Sequence, residues 1–283
     1  FRGGYHDFVI RRGGLQVFPR LVAAEHHRDF REQPFTSGVA ELDTLLGGGL
    51  DPGTSTLFIG PSGCGKSSLA LGYVHAALTR GERTLVVSFD ETRHVLLKRA
   101  AGIGMDLLPY VEEGRLRLEQ IDPADLSPGE FSGRVRDAVE TGAARVVVID
   151  SLSGYLNAMP DEQFMILQMH ELVTYLNQQG VVTILILAQS GMVGHVASPL
   201  DLTYLSDTVL LLRFFEAGGQ IRRAASVIKK RTGSHENTIR EFCIDSRGVR
   251  VGERLIEFRG VLTGVPTYEG QNAALLKGRR SDG

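Results

Sequence analysis

The sequence predicts an α/β fold: a mainly parallel sheet flanked by helices, with an antiparallel extension toward the C-terminal end. Three observations carry that expectation. Short apolar runs alternate with helical stretches between residues 55 and 188, the rhythm of successive βαβ units. At the first strand-to-helix junction stands Gly60-Pro61-Ser62-Gly63-Cys64-Gly65-Lys66-Ser67, a full match to the pattern of a phosphate-binding loop. Beyond residue 208 the helical stretches stop and apolar runs follow one another across tight Gly-containing turns, as hairpins do.

Taken in order, residues 55–59 read as a strand and 65–79 as the helix leading out of the loop. Strand 84–89 and helix 93–101 follow, then strand 116–120, helix 129–141, strand 146–149, helix 162–179 and strand 182–188. The extension begins with 209–216, turns at Gly218-Gly219 and returns over 221–230, followed by 239–244 and 249–251.

The 283 residues are 42% hydrophobic, enough for a sizeable core. Lys and Arg number 31 against 33 Asp and Glu, a formal net charge of -2, so the whole-molecule field of a dedicated nucleic-acid or anionic-membrane binder is missing. The longest mainly apolar run, residues 181–188, is far short of the ~20 residues that span a bilayer. Cys64 and Cys243 cannot staple a small secreted fold, and no charged-then-apolar segment opens the sequence, so a reducing cytoplasm is the expected compartment.

The start and the end of the sequence repeat one another. Phe8-Val9-Ile10, Gly14, Val17 and Arg20-Leu21-Val22 align without gaps on Phe242-Cys243-Ile244, Gly248, Val251 and Arg254-Leu255-Ile256, each pair 234 positions apart. That period exceeds any solenoid repeat and points to a duplicated domain, of which residues 1–27 are an orphaned final hairpin. The charged and polar stretch 28–34 then reads as a linker, 35–270 as the main domain and 271–283 as a flexible tail.

In the glycine loop, the backbone N–H groups and the helix N-terminus can converge on phosphate oxygens. Lys66 would reach the β and γ phosphates of a nucleotide, and the Ser67 hydroxyl would ligate Mg2+. Cys64 contributes its backbone N–H, with a redox role as the alternative. Val146-Val147-Val148-Ile149-Asp150 is an apolar strand ending in a carboxylate at the edge where ligands bind in such folds, so Asp150 is expected to hold the metal through water. Asp90 and Glu91 end the strand before them at the same edge, where a carboxylate could orient water; Asp90 serves equally well as a cap for the next helix. Gln189 ends another strand there, as a γ-phosphate sensor or as a satisfied loop amide.

With these residues assembled, the sequence resembles the KaiC-type ATPases of the RecA-like P-loop superfamily. The resemblance rests on Ser37-Gly38-Val39-Ala40-Glu41-Leu42-Asp43 and its continuation to Leu50, the glycine loop, Ser88-Phe89-Asp90-Glu91, Val148-Ile149-Asp150-Ser151 and Lys229-Lys230-Arg231-Thr232-Gly233-Ser234-His235. It implies ATP and Mg2+ as cofactors, with ATP bound by Gly60, Ser62, Gly63, Cys64, Gly65, Lys66, Ser67 and Ser68. It also implies a homo-oligomeric ring, a hexamer, with ATP between neighbouring subunits, and a signalling protein partner. Asp90 and Glu91 fall where the family carries a catalytic glutamate pair, one also near the metal, and the first is shortened here. Lys229 and Arg231 match basic residues that reach the neighbour's triphosphate, with Arg223, Lys230 and His235 as supporting contacts. Ile103 replaces an aromatic that one family domain sets against adenine.

The resemblance also implies serine/threonine autokinase activity as an alternative to plain hydrolysis. Thr203 and Tyr204 occupy the two positions where KaiC carries its phosphorylated Ser and Thr, so Thr203 is the one candidate phosphosite of the right type. A recombinase or helicase relative is the third class. The near-zero net charge, and the lack of a basic, aromatic-rich loop between Gly191 and Leu200, argue against it.

Overall fold

The structure, a computed structural model, describes residues 3, 6–122, 126–156, 162–189, 202–262 and 267–268. The expected tail, the segment 191–200 and the last residues of the expected main domain lie outside them. An N-terminal hairpin, β1 (Asp7–Arg11) and β2 (Gly14–Phe18), precedes a short helix α1 (Ala40–Leu45). Then come β3 (Ser55–Pro61), α2 (Lys66–Thr79), β4 (Arg83–Ser88), α3 (Arg93–Gly102), α4 (Leu108–Glu112), β5 (Leu116–Gln120), α5 (Pro128–Glu140), β6 (Ala144–Asp150), α6 (Leu152–Leu156), α7 (Glu162–Gln178) and β7 (Val182–Gln189). The chain closes with β8 (Thr208–Ala217), β9 (Gln220–Lys230), β10 (Arg240–Asp245), β11 (Gly248–Arg254), β12 (Phe258–Arg259) and β13 (Thr267–Tyr268).

Every expected strand and helix of the main domain is present, with ends shifted by at most three residues. The sequence reading missed α1, α4, α6 and the β12–β13 pair. Each is six residues or fewer, too short for a hydrophobic period to register.

Nine strands form the central sheet in the order β11-β10-β9-β8-β3-β7-β6-β4-β5. From β8 to β5 all neighbours pair in parallel; β8-β9, β9-β10 and β10-β11 are antiparallel. This is the RecA-like arrangement. Alternate residues of the central strands feed two separate cores. Phe58, Val148 and Ile184 join Leu69 and Val74 of α2 and Leu96 of α3 on one face. Leu57, Val147 and Leu185 join Phe131 and Val135 of α5 and Leu172 of α7 on the other. A strand buried on both faces has no polar side to alternate with, which is why these strands read as continuous apolar runs.

The two repeated segments adopt the same hairpin in the same register. Phe8 lies opposite Val17 and Ile10 opposite Leu15; 234 positions later Phe242 lies opposite Val251 and Ile244 opposite Val249. Their surroundings differ. Phe242 is 2% exposed and packs with Val249, Val251 and α2, whereas Phe8 is 58% exposed and Ile10, Leu15 and Val17 share its open face. The opposite side of β1 lies against α5, where Asp7 accepts a hydrogen bond from the Gly129 amide at 2.5 Å and Arg11 pairs with Glu130. Leu21 and Ala23 are buried in the α5–α7 core. The stretch read as a linker runs along the end of α7, with the Arg28 amide donating to the Gln178 carbonyl at 3.1 Å.

The exposure difference between equivalent aromatics sets a stability test. Phe242→Ala is expected to cost ~3–5 kcal/mol in urea melts, as for a fully buried Phe. Phe8→Ala is expected to fall within about 0.5 kcal/mol of the parent. Equal costs at the two positions would contradict the packing described.

Candidate active site

The parallel strands end together at one edge of the sheet, and the candidate residues were predicted from those ends. Pro61 of β3 pairs with Gln189 of β7, and Asp150 of β6 pairs with Ser88 of β4, so the glycine loop and the carboxylates share that edge. The loop itself turns at Gly63 and Gly65, both at positive φ. At Gly65 the constraint is also steric: a Cβ there would lie 2.5 Å from Ile244 Cδ1. The antiparallel extension therefore supports the loop from beneath.

Lys66 opens α2 with a buried ammonium. It donates to the carbonyls of Gly60 at 2.8 Å and Pro61 at 2.7 Å and contacts Cys64 Sγ at 3.8 Å. Burial lowers its pKa, while Cys64 and the Asp150 charge work the other way. Cys64 is buried, and desolvation pushes its thiol up while the nearby Lys66 opposes that.

Asp150 accepts a hydrogen bond from the Ser67 hydroxyl. Burial raises its pKa, Ser67 and Arg99 oppose that, and the nearby negative charges of Asp90 and Glu91 add to it. A hydroxyl and a carboxylate in contact are the hard oxygen donors that Mg2+ favours. Among the described residues no group of three or more His, Cys, Asp or Glu is close enough to hold a metal by itself. The pair therefore fits an ion that takes few protein ligands and completes its shell with water and phosphate oxygens.

Asp90 and Glu91 do different things. Thr92, not Asp90, caps α3, accepting from the Val95 amide at 3.4 Å. Asp90 instead accepts from the Ser151 hydroxyl at 2.6 Å, and Ser151 in turn accepts from the Gly154 amide at 3.2 Å. Glu91 is gripped at both oxygens by Arg99, Nε to Oε1 at 3.1 Å and Nη2 to Oε2 at 2.6 Å. Arg99 also donates to Ser68 Oγ at 3.1 Å. A cleft of ≈ 370 Å³ joins these groups, lined by the glycine loop, Lys66 to Ser68, Asp90, Glu91, Arg99, Asp150 and Ser151.

Arg99 and Ser151 were missed by the sequence reading. Arg99 follows buried Leu96 by three positions and precedes buried Ala100, so a charged side chain on the inward-leaning flank of α3 was the available signal. Ser151 carries no signal beyond its place after Asp150.

The remaining candidates divide between the two edges of the sheet. Gln189 borders the loop with its Oε1 buried and unpaired among the described residues. The Arg223 guanidinium sits 5.7 Å from the Phe214 ring centre, on the glycine-loop side. Lys229, Lys230 and Arg231 are at the other edge of the sheet. Lys230 pairs with Thr208, and Thr208 with Thr56 at the start of β3, five residues or ~16 Å of strand below Pro61. There Lys229 donates to the carbonyls of Thr203 and Ser206, at 2.8 and 2.7 Å. Lys230, only 4% exposed, pairs with Asp51 at 3.2 Å and donates to the Leu46 carbonyl at 2.6 Å. Arg231 is half-exposed and lies 3.4 Å from Asp207. His235 follows in a half-buried loop beside Gly47. Ile103 packs on the core below α3.

The profile of the KaiC ATPase family matches residues 35–256. The chain belongs to that family. The circadian clock protein KaiC3 of Synechocystis sp. is 27% identical over 272 residues, covering 96% of this chain and 54% of that protein. KaiC2 of the same organism is 28% identical, covering 93% and 48%. The circadian clock oscillator protein KaiC of Synechococcus elongatus is 26% identical over 268 residues, covering 93% and 51%. The chain thus spans about half the length of these relatives. Like other members it carries a nucleotide-binding P-loop domain, and no helix among the described residues is long and apolar enough to cross a membrane.

If Lys66 meets the terminal phosphates as the family pattern implies, Lys66→Ala is expected to weaken ATP binding by at least ~100-fold. Calorimetry returning the parent affinity would overturn the assignment. Asp150→Asn should reduce Mg2+-dependent turnover far more than nucleotide affinity, read from the two measured in parallel.

Proposed function

We propose that this KaiC-family domain binds ATP with Mg2+ in the cleft and hydrolyses it, in a ring whose sites are each completed by a neighbouring subunit. The observation that carries the reading is the division of candidate residues between the two edges of the sheet. Lys66, Ser67, Asp150, Asp90 and Glu91 meet in one cleft, while Lys229 and Arg231 stand at the far edge, out of reach of it. If those cations stabilise charge on a nucleotide, it is one held by another copy of the chain.

In this reading Lys66, Ser62 to Ser68 and Gln189 hold the phosphates, and Ser67 and Asp150, with Asp90 nearby, hold the metal. Mg2+ supplies charge neutralisation on the phosphate oxygens when bound. Glu91 is the acceptor of the attacking water's proton; Asp90, shorter and committed to Ser151, supports the metal side. Arg231 and Lys229 act in trans, Arg223 and His235 contact nucleotide in support, and Lys230 keeps its own β3 approach in place through Asp51. Hydrolysis would drive conformational switching and recruitment of a signalling partner in the cytoplasm. The matching registers of the two hairpins support a further reading, in which residues 1–27 complete a preceding domain of the same type and 35–270 form the second.

The autokinase alternative keeps one supporting observation. Thr203 begins a short 3-10 helix immediately before β8, at the same edge as Arg231, where a neighbour's nucleotide would lie. Next to it stands Tyr204, half-exposed, whose hydroxyl sits an aromatic ring farther from the backbone and cannot take the same in-line position.

Two measurements test these readings. Rings mixed from Lys66→Ala and Arg231→Ala subunits should recover ATPase activity that neither has alone, since some interfaces regain both groups; a trans arginine contributes ~10³–10⁵ in rate. Rings verified as mixed yet inactive would overturn the shared site. Intact mass after prolonged incubation with ATP and Mg2+ should show at most one phosphate, on Thr203; two added in sequence would replace plain hydrolysis by the kinase reading.

A further inference from the structure

We infer that Arg99 is a latch on Glu91: it holds the carboxylate in a two-point ion pair in the resting cleft, and turnover requires that pair to open. This rests on the reading of Glu91 as the proton acceptor. Both carboxylate oxygens are engaged by one guanidinium, at 3.1 and 2.6 Å, so each already shares a lone pair with a cation and only the remaining acceptor sites are open to water. A carboxylate gripped at both oxygens is a poor general base.

The grip is built into the fold. Thr92 fixes the start of α3, and Leu96 and Ala100 anchor the helix in the core, so the Cα of Arg99 cannot drift. Its third nitrogen is tied to Ser68 Oγ in the first turn of α2, which links the latch to the helix that carries Lys66 and Ser67. Both partners are partly sheltered, with side chains 28% and 22% exposed, and the geometry is bidentate, so this pair escapes most of the screening that makes surface pairs weak.

The surrounding charge makes the latch reversible. Arg99 lines the cleft together with Lys66 and the carboxylates of Glu91, Asp90 and Asp150, and acts electrostatically on Asp150 as well as on Glu91. Phosphate oxygens brought into the cleft are competing acceptors for a guanidinium, which binds phosphate as readily as carboxylate. In the filled cleft Arg99 is shared between Glu91 and the phosphates, so the proton acceptor is masked in the empty cleft and free in a minor fraction of filled ones, and opening of the pair limits turnover.

The test compares the parent chain with Arg99→Ala, Arg99→Lys, Glu91→Gln and the Arg99→Ala/Glu91→Gln pair. Arg99→Ala is expected to raise kcat about 5-fold, near 1 kcal/mol of barrier, with KM changed less than about 2-fold. Arg99→Lys, which cannot grip both oxygens, should fall between. In the Glu91→Gln background the same Ala substitution should give no acceleration, because the two residues act through one contact. Independently of turnover, the Arg99 Nε–H signal in NMR spectra of the nucleotide-free protein should be shielded from exchange with water, and that protection should be lost in Glu91→Gln. A fall in kcat on Arg99→Ala, or an unprotected Nε–H in the parent, overturns the latch. Full hydrolysis by Glu91→Gln would instead overturn the assignment of Glu91 on which it rests.

Discussion

The geometry of the cleft depends on β3 being paired in parallel on both sides. Every residue of that strand is buried, and its hydrogen-bonded neighbours β7 and β8 fix where its last residues, Gly60 and Pro61, emerge. Those two carbonyls take the Lys66 ammonium. Leu212 of β8 closes the other side, its carbonyl 2.3 Å from where a Cβ on Gly60 would be, so no larger residue fits there without moving the sheet. A slip of one residue in β3 would exchange its two core faces and withdraw the loop from the carboxylates together.

The electrostatics of the cleft follow from that burial. Lys66 and Asp150 are each driven toward their neutral forms by desolvation and each held toward the charged form by opposite charge in the same cleft. Neither group is satisfied by a single partner. A cleft with two cations and three carboxylates at its floor, one hydroxyl bridging Ser67 to Asp150 and another bridging Ser151 to Asp90, is arranged to rearrange its contacts when a charged ligand and a metal enter.

The α/β core and its order of elements were legible because buried parallel strands and the helices between them leave strong, different periods, and the glycine loop is long enough to be specific. Asp150 was legible from the apolar strand in front of it. Arg99 was not, because eight residues separate it from Glu91 and only the winding of α3 back across the strand ends brings them together. The role of Thr92 was likewise hidden: Asp90, Glu91 and Thr92 are all acceptable near a helix start, and only backbone geometry decides which one caps. The basic run Lys229-Lys230-Arg231 looked uniform in the sequence, yet alternation along β9 and the loop after it sends Lys230 into a buried pair with Asp51 while its neighbours stay nearer the surface.

That alternation connects the two edges of the sheet. Lys230 ties the end of β9 to the segment that leads into β3, through Asp51 and the carbonyls of Leu46 and Gly49. Asp207 does the same from the start of β8, accepting from the Ser55 amide at 3.0 Å and from its hydroxyl at 3.1 Å while facing Arg231. The strand that carries the glycine loop at its upper end is therefore clamped at its lower end by the very segments that hold Arg231 and Lys229. Arg231 and Lys229 are thus carried by the segments that brace the strand ending in Gly60 and Pro61, whose carbonyls take the Lys66 ammonium.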